Sequence, residues 1–259
     1  MEMTATATLR AAGKWQQRKV TRVKNRVRTT VIARERRHVG VRNRLASQHL
    51  RGSGLEIGGL HMPLRVPGHA SVQYVDRYTV AQLREHYPEL DGCDLVTPDI
   101  IDDGETLAGL PDQSVDFVIA NHMIEHCEDP IGTLENHLRV LRPGGVIYMA
   151  VPDCRFTFDR DREITPLDHV CRDHVEGPAW SRREHYEQWA RFVDRVPPGE
   201  VVTRAVELER RDYSIHYHVW TPGAFLEMLC ACNTEFGLPF DVDGLERNNH
   251  EFIVVLSRG

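Results

Sequence analysis

The sequence predicts an α/β protein built on a doubly wound, mainly parallel sheet. Strand-like runs alternate with helical segments from Gly54 to Asp153, the pattern of parallel strands joined by crossover helices. With 259 residues, 41% hydrophobic and 27% charged, the chain can bury a sizeable core and belongs with soluble globular proteins. Charge divides it further. Fourteen of the 32 Lys/Arg lie in residues 1–51, against only two of the 38 Asp/Glu, so a basic arm precedes an acidic body.

Residues 1–50 form that arm. Val20, Val23, Val27 and Val31 recur at three- and four-residue spacing, giving a helix with one narrow apolar stripe. Such an arm can meet an anionic surface, the acidic body of its own chain or a second copy in a homo-oligomer. The missing aromatic interleaving and the acidic body both argue against a nucleic-acid partner.

The body, residues 51–259, is justified element by element. "GLEIGG" (54–59) reads as a strand and its turn, "VQYVD" (72–76) as a second strand and "VAQLREHY" (80–87) as a helix. "CDLVTPDI" (93–100) makes the third strand and "SVDFVIAN" (114–121) the fourth. "DPIGTLENHLRVLRPGG" (129–145) is a helix closed by Pro-Gly-Gly, followed by a fifth strand, "VIYMAVPD" (146–153). Residues 154–200 are too long for a bare loop, so they are expected to hold helices and to cover the body as a lid. Thr221 and Pro222 start a helix over 221–232. Two closing strands complete the chain.

In open α/β sheets ligands sit beyond the carboxyl ends of the strands, and here those ends are acidic. Glu56, Asp76 and Asp99 occupy the first three. An acid after the second strand can accept both hydroxyls of a ribose, and one after the third can accept from an adenine amino group. A pyrophosphate would be repelled. The loop Gly58, Gly59, Leu60, His61, Met62 also lacks the G-x-G-x-x-G of dinucleotide sites. An adenosine bearing a cation suits this field better.

"LEIGG", "VQYVD", "TPDI", "LPDQSVDFVIANHMIEHCEDP" and "LRPGGVIYMAVPD" stand in the order and spacing of a class I S-adenosylmethionine-dependent methyltransferase, which the chain resembles over residues 52–155. The resemblance implies a Rossmann-like, seven-stranded, mostly parallel sheet with an antiparallel last strand, and S-adenosyl-L-methionine as cofactor. It implies that Glu56, Gly58 and Gly59 form the loop around the cofactor's amino-acid portion. Asp76, with Arg77 beside it, would bind the ribose. Asp99 and Ile100 would frame the adenine, and Asn121 and His122 would lie near the sulfonium. The family's loop commonly continues glycine-x-glycine, whereas Leu60 and Met62 stand here. A loop that approaches no phosphate can lose those later glycines.

Methyl transfer to a hydroxyl needs a base, and histidine has the right unperturbed pKa. Among eight histidines from His122 to His218, His169, His126 and His218 are the candidates. "VPDCRFTFDRDREITPLDH" with the later "HYHVWTP" resembles bacterial methyltransferases of polysaccharide or glycoconjugate assembly. The expected reaction is therefore O-methylation of a saccharide or glycan, with Asp153, Arg155, Phe158, His174, His216 and Trp220 as substrate contacts. On a strand, His216 and His218 would face one side. Rival acceptors are a lipid-linked or other small-molecule hydroxyl, or RNA met by the arm; a binding protein without turnover belongs to another class. No metal is assigned, because no ligand spacing is specific; a divalent ion held by Asp153 and these histidines is the nearest alternative, and Cys230 and Cys232 form only a weak CxC. Six cysteines without a paired framework, and the lack of a signal h-region or an apolar span, point to the cytoplasm, with the arm able to reach the inner membrane face.

Overall fold

The computed structural model describes residues 40–259; the valine-striped segment of the arm lies outside them. Seven strands form one sheet: β1 (Gly52–Ile57), β2 (Ala70–Asp76), β3 (Ile100–Ile101), β4 (Val115–Asn121), β5 (Leu141–Pro152), β6 (Phe240–Asn248) and β7 (Glu251–Arg258). Their order is β3-β2-β1-β4-β5-β7-β6. The first five pair in parallel, and β7 runs antiparallel to both β5 and β6. This is the sheet the sequence predicts, with its antiparallel last strand.

Burial explains the central strands. Phe117 through Ala120 of β4 and Tyr148 through Val151 of β5 are fully covered, as expected for parallel strands packed on both faces. Strand order reverses between β1 and β4. Connections leaving those two strands diverge, which opens a crevice at their carboxyl ends.

Two elements differ from expectation. The third strand is only Ile100–Ile101, because Pro98 has no N–H and forces its predecessor out of regular pairing. Residues 93–99 therefore run as loop, with Val96 N–H donating to the Leu60 carbonyl. The helix expected through residue 145 ends at Val140, and β5 begins at Leu141. Pro143 cannot supply the N–H that a continued helix needs, so the chain turns to strand first.

The helices are α1 (40–49), α2 (Val80–His86), α3 (Pro130–Val140), α4 (Leu167–Glu176), α5 (Arg182–Phe192), α6 (Val201–Arg210) and α7 (Pro222–Thr234). Their starts follow the capping chemistry of the sequence. Thr79 and Gln82 form a reciprocal capping box for α2, and Asp129 and Thr221 accept from Gly132 and Ala224 at the heads of α3 and α7. Arg42, Leu45, Ala46 and Leu50 are already part of the body: the last three are buried, and Arg42 pairs with Glu251 on β7. The helical insertion continues past residue 200 through α6. It has a small core of its own, made by Tyr186, Trp189, Ala205, Leu208, Ile215 and Tyr217.

Candidate active site

A cavity of about 340 Å³ opens at the reversal of strand order, within the size range of small-ligand sites. Ile57, Gly58 and Leu60 line it from β1, Asp76 and Arg77 from β2, and His122 and Met123 from β4. The insertion supplies the facing wall with Phe158 and Trp189, and the segment after α6 with Tyr213, Ser214 and His216.

The loop after β1 resolves how two glycines suffice. Gly58 turns at φ 63° and Leu60 follows at φ 45°. A leucine thus holds the left-handed geometry that glycine adopts freely, at a cost of roughly 1–2 kcal/mol. Glu56 secures the loop from beneath, its carboxylate accepting the Leu64 N–H at 2.7 Å. Burial raises the Glu56 pKa to about 7. Glu56, expected around the cofactor's amino-acid portion, is 1% exposed and lies under the loop, with Oε1 engaged by the Leu64 N–H and Oε2 buried without a hydrogen-bond partner. Gly59 is also turned away from the cavity, where a Cβ would meet the Tyr74 ring at 3.1 Å and Val96 at 3.3 Å.

At the end of β2, Asp76 faces the cavity and accepts the Tyr78 N–H at 3.2 Å. Burial pushes its pKa up. Arg77 stands beside it, 3.6 Å from Asp212, an exposed pair that adds little stability. Asp99 does not end the third strand. It precedes β3, and its carboxylate accepts the Tyr74 N–H at 2.8 Å. Ile100 packs against the main core instead of lining the cavity. The acid that reaches the cavity from beyond β3 is Glu105, whose pKa burial, with the neighbouring Asp103, raises to about 7. Sequence reasoning missed it, although "DDGE" comes directly after the strand once it is seen to end at Ile101.

His122 sits at φ 51° at the end of β4. Its Nε2 lies 2.7 Å from Glu251 and its Nδ1 3.4 Å from Glu125. Burial opposes its protonation, but the two carboxylates prevail and raise its pKa to about 9. His122 is therefore a cation at neutral pH and no base. Asn121 precedes it with both amide atoms buried and without a hydrogen-bond partner. Because the folded pKa of His122 exceeds its unfolded value of about 6.5, its stabilisation is complete below pH 6.5 and lost as pH rises through 9. The unfolding temperature should fall between pH 7 and 9.5, and His122→Gln should flatten that fall. A temperature that holds or rises over this interval would refute the assignment.

His126 and His216 face the cavity with ring centroids 4.7 Å apart. His126 Nδ1 lies 2.8 Å from the Ile215 carbonyl oxygen. Since that oxygen can only accept, Nδ1 carries the proton and Nε2 keeps its lone pair. Burial, helped by His216, lowers the His126 pKa to about 4. His216 Nδ1 donates to Asp159 Oδ2 at 2.7 Å, and Arg162 donates to Asp159 Oδ1 at 3.0 Å. Burial would raise the Asp159 pKa, but His216 and Arg162 hold it below its usual value. A carboxylate thus stands behind His216 and leaves Nε2 as the acceptor, the arrangement of a general base.

Other expected site residues lie away from the cavity. His169 and His218 are not among the cavity-lining residues: both lie in a buried group behind it, where His169 Nε2 is 3.1 Å from His185 Nε2. The segment carrying His216 and His218 is not a strand, so the two rings enter different clusters. Asp153 turns back to bind Arg155 at 2.6 and 2.8 Å. His174 pairs with Asp129, 3.0 Å away at the head of α3. Trp220 is core, packed edge-on against Phe225. Of the six expected substrate contacts, Phe158 and His216 line the cavity.

Comparison with known proteins bears on this site. Residues 58–149 match the family described as "Methyltransferase domain". A probable S-adenosylmethionine-dependent methyltransferase of Mycolicibacterium smegmatis is 39% identical over 93 residues, 36% of this chain and 32% of that protein. The match therefore spans about a third of the curated relative's length. Among solved structures, a SAM-dependent methyltransferase from Aquifex aeolicus shares 14% identity, covering 83% of this chain and 87% of that one at a TM-score of 0.43. A putative Zn-dependent alcohol dehydrogenase from Rhodobacter sphaeroides shares 15%, covering 82% and 85% at 0.48. Likeness at that level carries no argument about chemistry. Residues 58–149 are thus similar to a methyltransferase domain, and the methyl donor of the matched relative's class is S-adenosylmethionine. No helix among the described residues is long and apolar enough to cross a membrane.

Proposed function

We propose that the chain is an S-adenosylmethionine-dependent methyltransferase that methylates a hydroxyl of a saccharide or glycoconjugate, with His216 as general base. The observation that carries this reading is the Asp159–His216 pair on the cavity wall opposite the strand ends. Methylation of a hydroxyl needs a proton acceptor there, which transfer to a more nucleophilic atom would not.

The cavity fits the cofactor. Asp76 and Glu105 line it with carboxyl groups, and Gly58 presents backbone without a side chain. Arg77 and His122 stand beside those acids, so the fit rests on the Asp76 carboxylate as acceptor for ribose hydroxyls and on a loop after β1 that lacks the later glycines of a pyrophosphate cradle. When bound, S-adenosylmethionine supplies an electrophilic methyl group. Asp76 would hold the ribose hydroxyls, Gly58 and Leu60 would bound the amino-acid portion, and Glu105 would approach the adenosine. The phenyl ring of Phe158 meets Trp189 edge-on at 5.6 Å and lies 4.8 Å from His216. Aromatic faces beside a polar ring suit the alternating C–H and hydroxyl faces of a sugar. His216 takes the hydroxyl proton at Nε2, and Asp159 stabilises the imidazolium that forms. Phe158 and Trp189 keep water from the acceptor oxygen.

Asp76→Ala should weaken S-adenosylmethionine binding about 10- to 100-fold, the worth of hydrogen bonds to a charged group. Titration calorimetry measures it, and an unchanged affinity would remove Asp76 from the ribose. For the acceptor, S-adenosylhomocysteine release and product mass are followed across a panel of saccharides. Methylation at nitrogen or carbon, or on lipid-linked or RNA acceptors only, would overturn the saccharide reading.

A further inference from the structure

We propose that His169, Asp173, His185 and His218 form a binding site for one divalent transition-metal ion, zinc foremost, that clamps the helical insertion to the segment carrying His216. The site is separate from the cavity and from the cofactor's residues. Its members come from three places in the fold. His169 and Asp173 are four residues apart on α4 and share one helix face. His185 comes from the first turns of α5, and His218 from the segment that leads into α7.

The distances are those of a coordination shell. His169 Nε2 lies 3.1 Å from His185 Nε2 and 3.2 Å from Asp173 Oδ2, and His218 Nε2 lies 3.7 Å from Asp173 Oδ2. One ligand atom from each of the four residues falls within 4.8 Å of all the others. A tetrahedron with bonds of about 2.0–2.1 Å has edges of about 3.3–3.4 Å, between the shorter and longer contacts seen here.

Burial and polar accounting point the same way. Asp173 and His218 are fully buried and His185 is 4% exposed. Asp173 Oδ2 makes no well-aligned hydrogen bond, His169 Nε2 at 3.2 Å being its near neighbour, while Oδ1 accepts from the Ser181 hydroxyl at 2.7 Å. One oxygen is thus fixed and the other aimed into the group, as outer-shell partners do for metal-binding carboxylates. A buried carboxylate oxygen beside three imidazoles is costly unless a cation or proton satisfies it. His218 Nε2 also lies 3.3 Å from the Glu128 carbonyl oxygen, so coordination requires the His218 proton to reside on Nδ1. Trp180 covers the outer edge, packed against His169 at 4.8 Å and topped by Arg172.

A closed set of three nitrogens and one oxygen leaves no open position, so the ion would act structurally. His218 stands two residues from His216, and the Tyr217 N–H between them donates to the Glu125 carbonyl. Fixing His218 therefore fixes the backbone that aims His216.

The test uses the full chain purified without a polyhistidine tag. Elemental mass spectrometry should find about one zinc per chain, as for a structural site. Chelator-stripped protein titrated with Co²⁺ should develop the visible absorption of four-coordinate cobalt, and added Zn²⁺ should raise its unfolding temperature. His169→Ala and His185→Ala should each lose the stoichiometric ion and the cobalt spectrum. His169 is partly exposed, so its variant keeps the test interpretable if His185→Ala fails to fold. A stripped, folded wild-type chain that binds none of Zn²⁺, Co²⁺, Ni²⁺ or Mn²⁺ and shows no thermal shift would overturn the proposal. So would folded His169→Ala and His185→Ala variants that retain the ion.

Discussion

His216→Ala is expected to lower the turnover number by about 10²–10⁴-fold, the usual contribution of a positioned base, while S-adenosylmethionine affinity stays unchanged. The split follows from the geometry. His216 lies on the cavity wall beside Phe158 and Ser214, whereas Asp76, Gly58 and Glu105, which the proposed reading gives to the cofactor, line it from the loops after the strands. The neighbouring His126 cannot substitute well, since burial lowers its pKa to about 4 and leaves it a poor proton acceptor. His122 cannot substitute at all, because it is already protonated at neutral pH. Asp159→Asn should act in the same direction by removing the carboxylate that favours the Nδ1–H tautomer. It would also leave the buried Arg162 guanidinium short of a partner, so the alanine variant of His216 is the cleaner measurement. Turnover is read with the methylated acceptor by mass, and cofactor affinity by calorimetry. Undiminished turnover in a folded His216→Ala protein would exclude the base assignment, and a parallel loss of cofactor affinity would place His216 in binding instead.

Glu251→Ala should be the most destabilising of these substitutions. Its carboxylate, 1% exposed, accepts from Arg42 at 2.8 Å through Oε1, and Oε2 lies 2.7 Å from His122. Asn248 donates to it at 2.7 Å. Burial opposes its charge, but Arg42 and His122 bring its pKa down to about 2. Removing it leaves two cations facing each other in a poorly hydrated place, a change that costs about 3–5 kcal/mol when partners are deeply buried. Arg42 and His122 retain some solvent contact, so a loss of about 3 kcal/mol is expected. For a body of this size that lowers the unfolding temperature by about 6–12 °C. The loss should reach the site as well: without Glu251, the pKa of His122 falls toward neutrality and the strained end of β4 loses its anchor. A thermal shift within about 1 °C, inside the scatter of surface substitutions, would show that the cluster stabilises nothing.

The strands and helices of residues 52–153 were legible because each is specified by its neighbours in sequence. β4 reads as an apolar run, Thr79 and Asp129 cap α2 and α3, and Gly58 supplies the left-handed turn. The third strand was overread because hydrophobic content suggested pairing that Pro98 prevents. Asp99 was misplaced for that reason, and Glu105 was missed with it. The Asp159–His216 pair was the least legible part. His216 and Asp159 are 57 residues apart, and no local pattern distinguishes that histidine from His169 or His218.

Sequence alone determined the sheet, its crevice at the strand ends and the presence of a carboxyl group at the end of β2, since these depend on periodicity, turn chemistry and residue type. Only the tertiary structure decided which histidines meet the cavity, which carboxylates lie buried beneath it, and which charges hold one another. Those properties depend on burial and on contacts between residues far apart in the chain. Proton affinity follows from such surroundings, and a linear order of residues does not contain them.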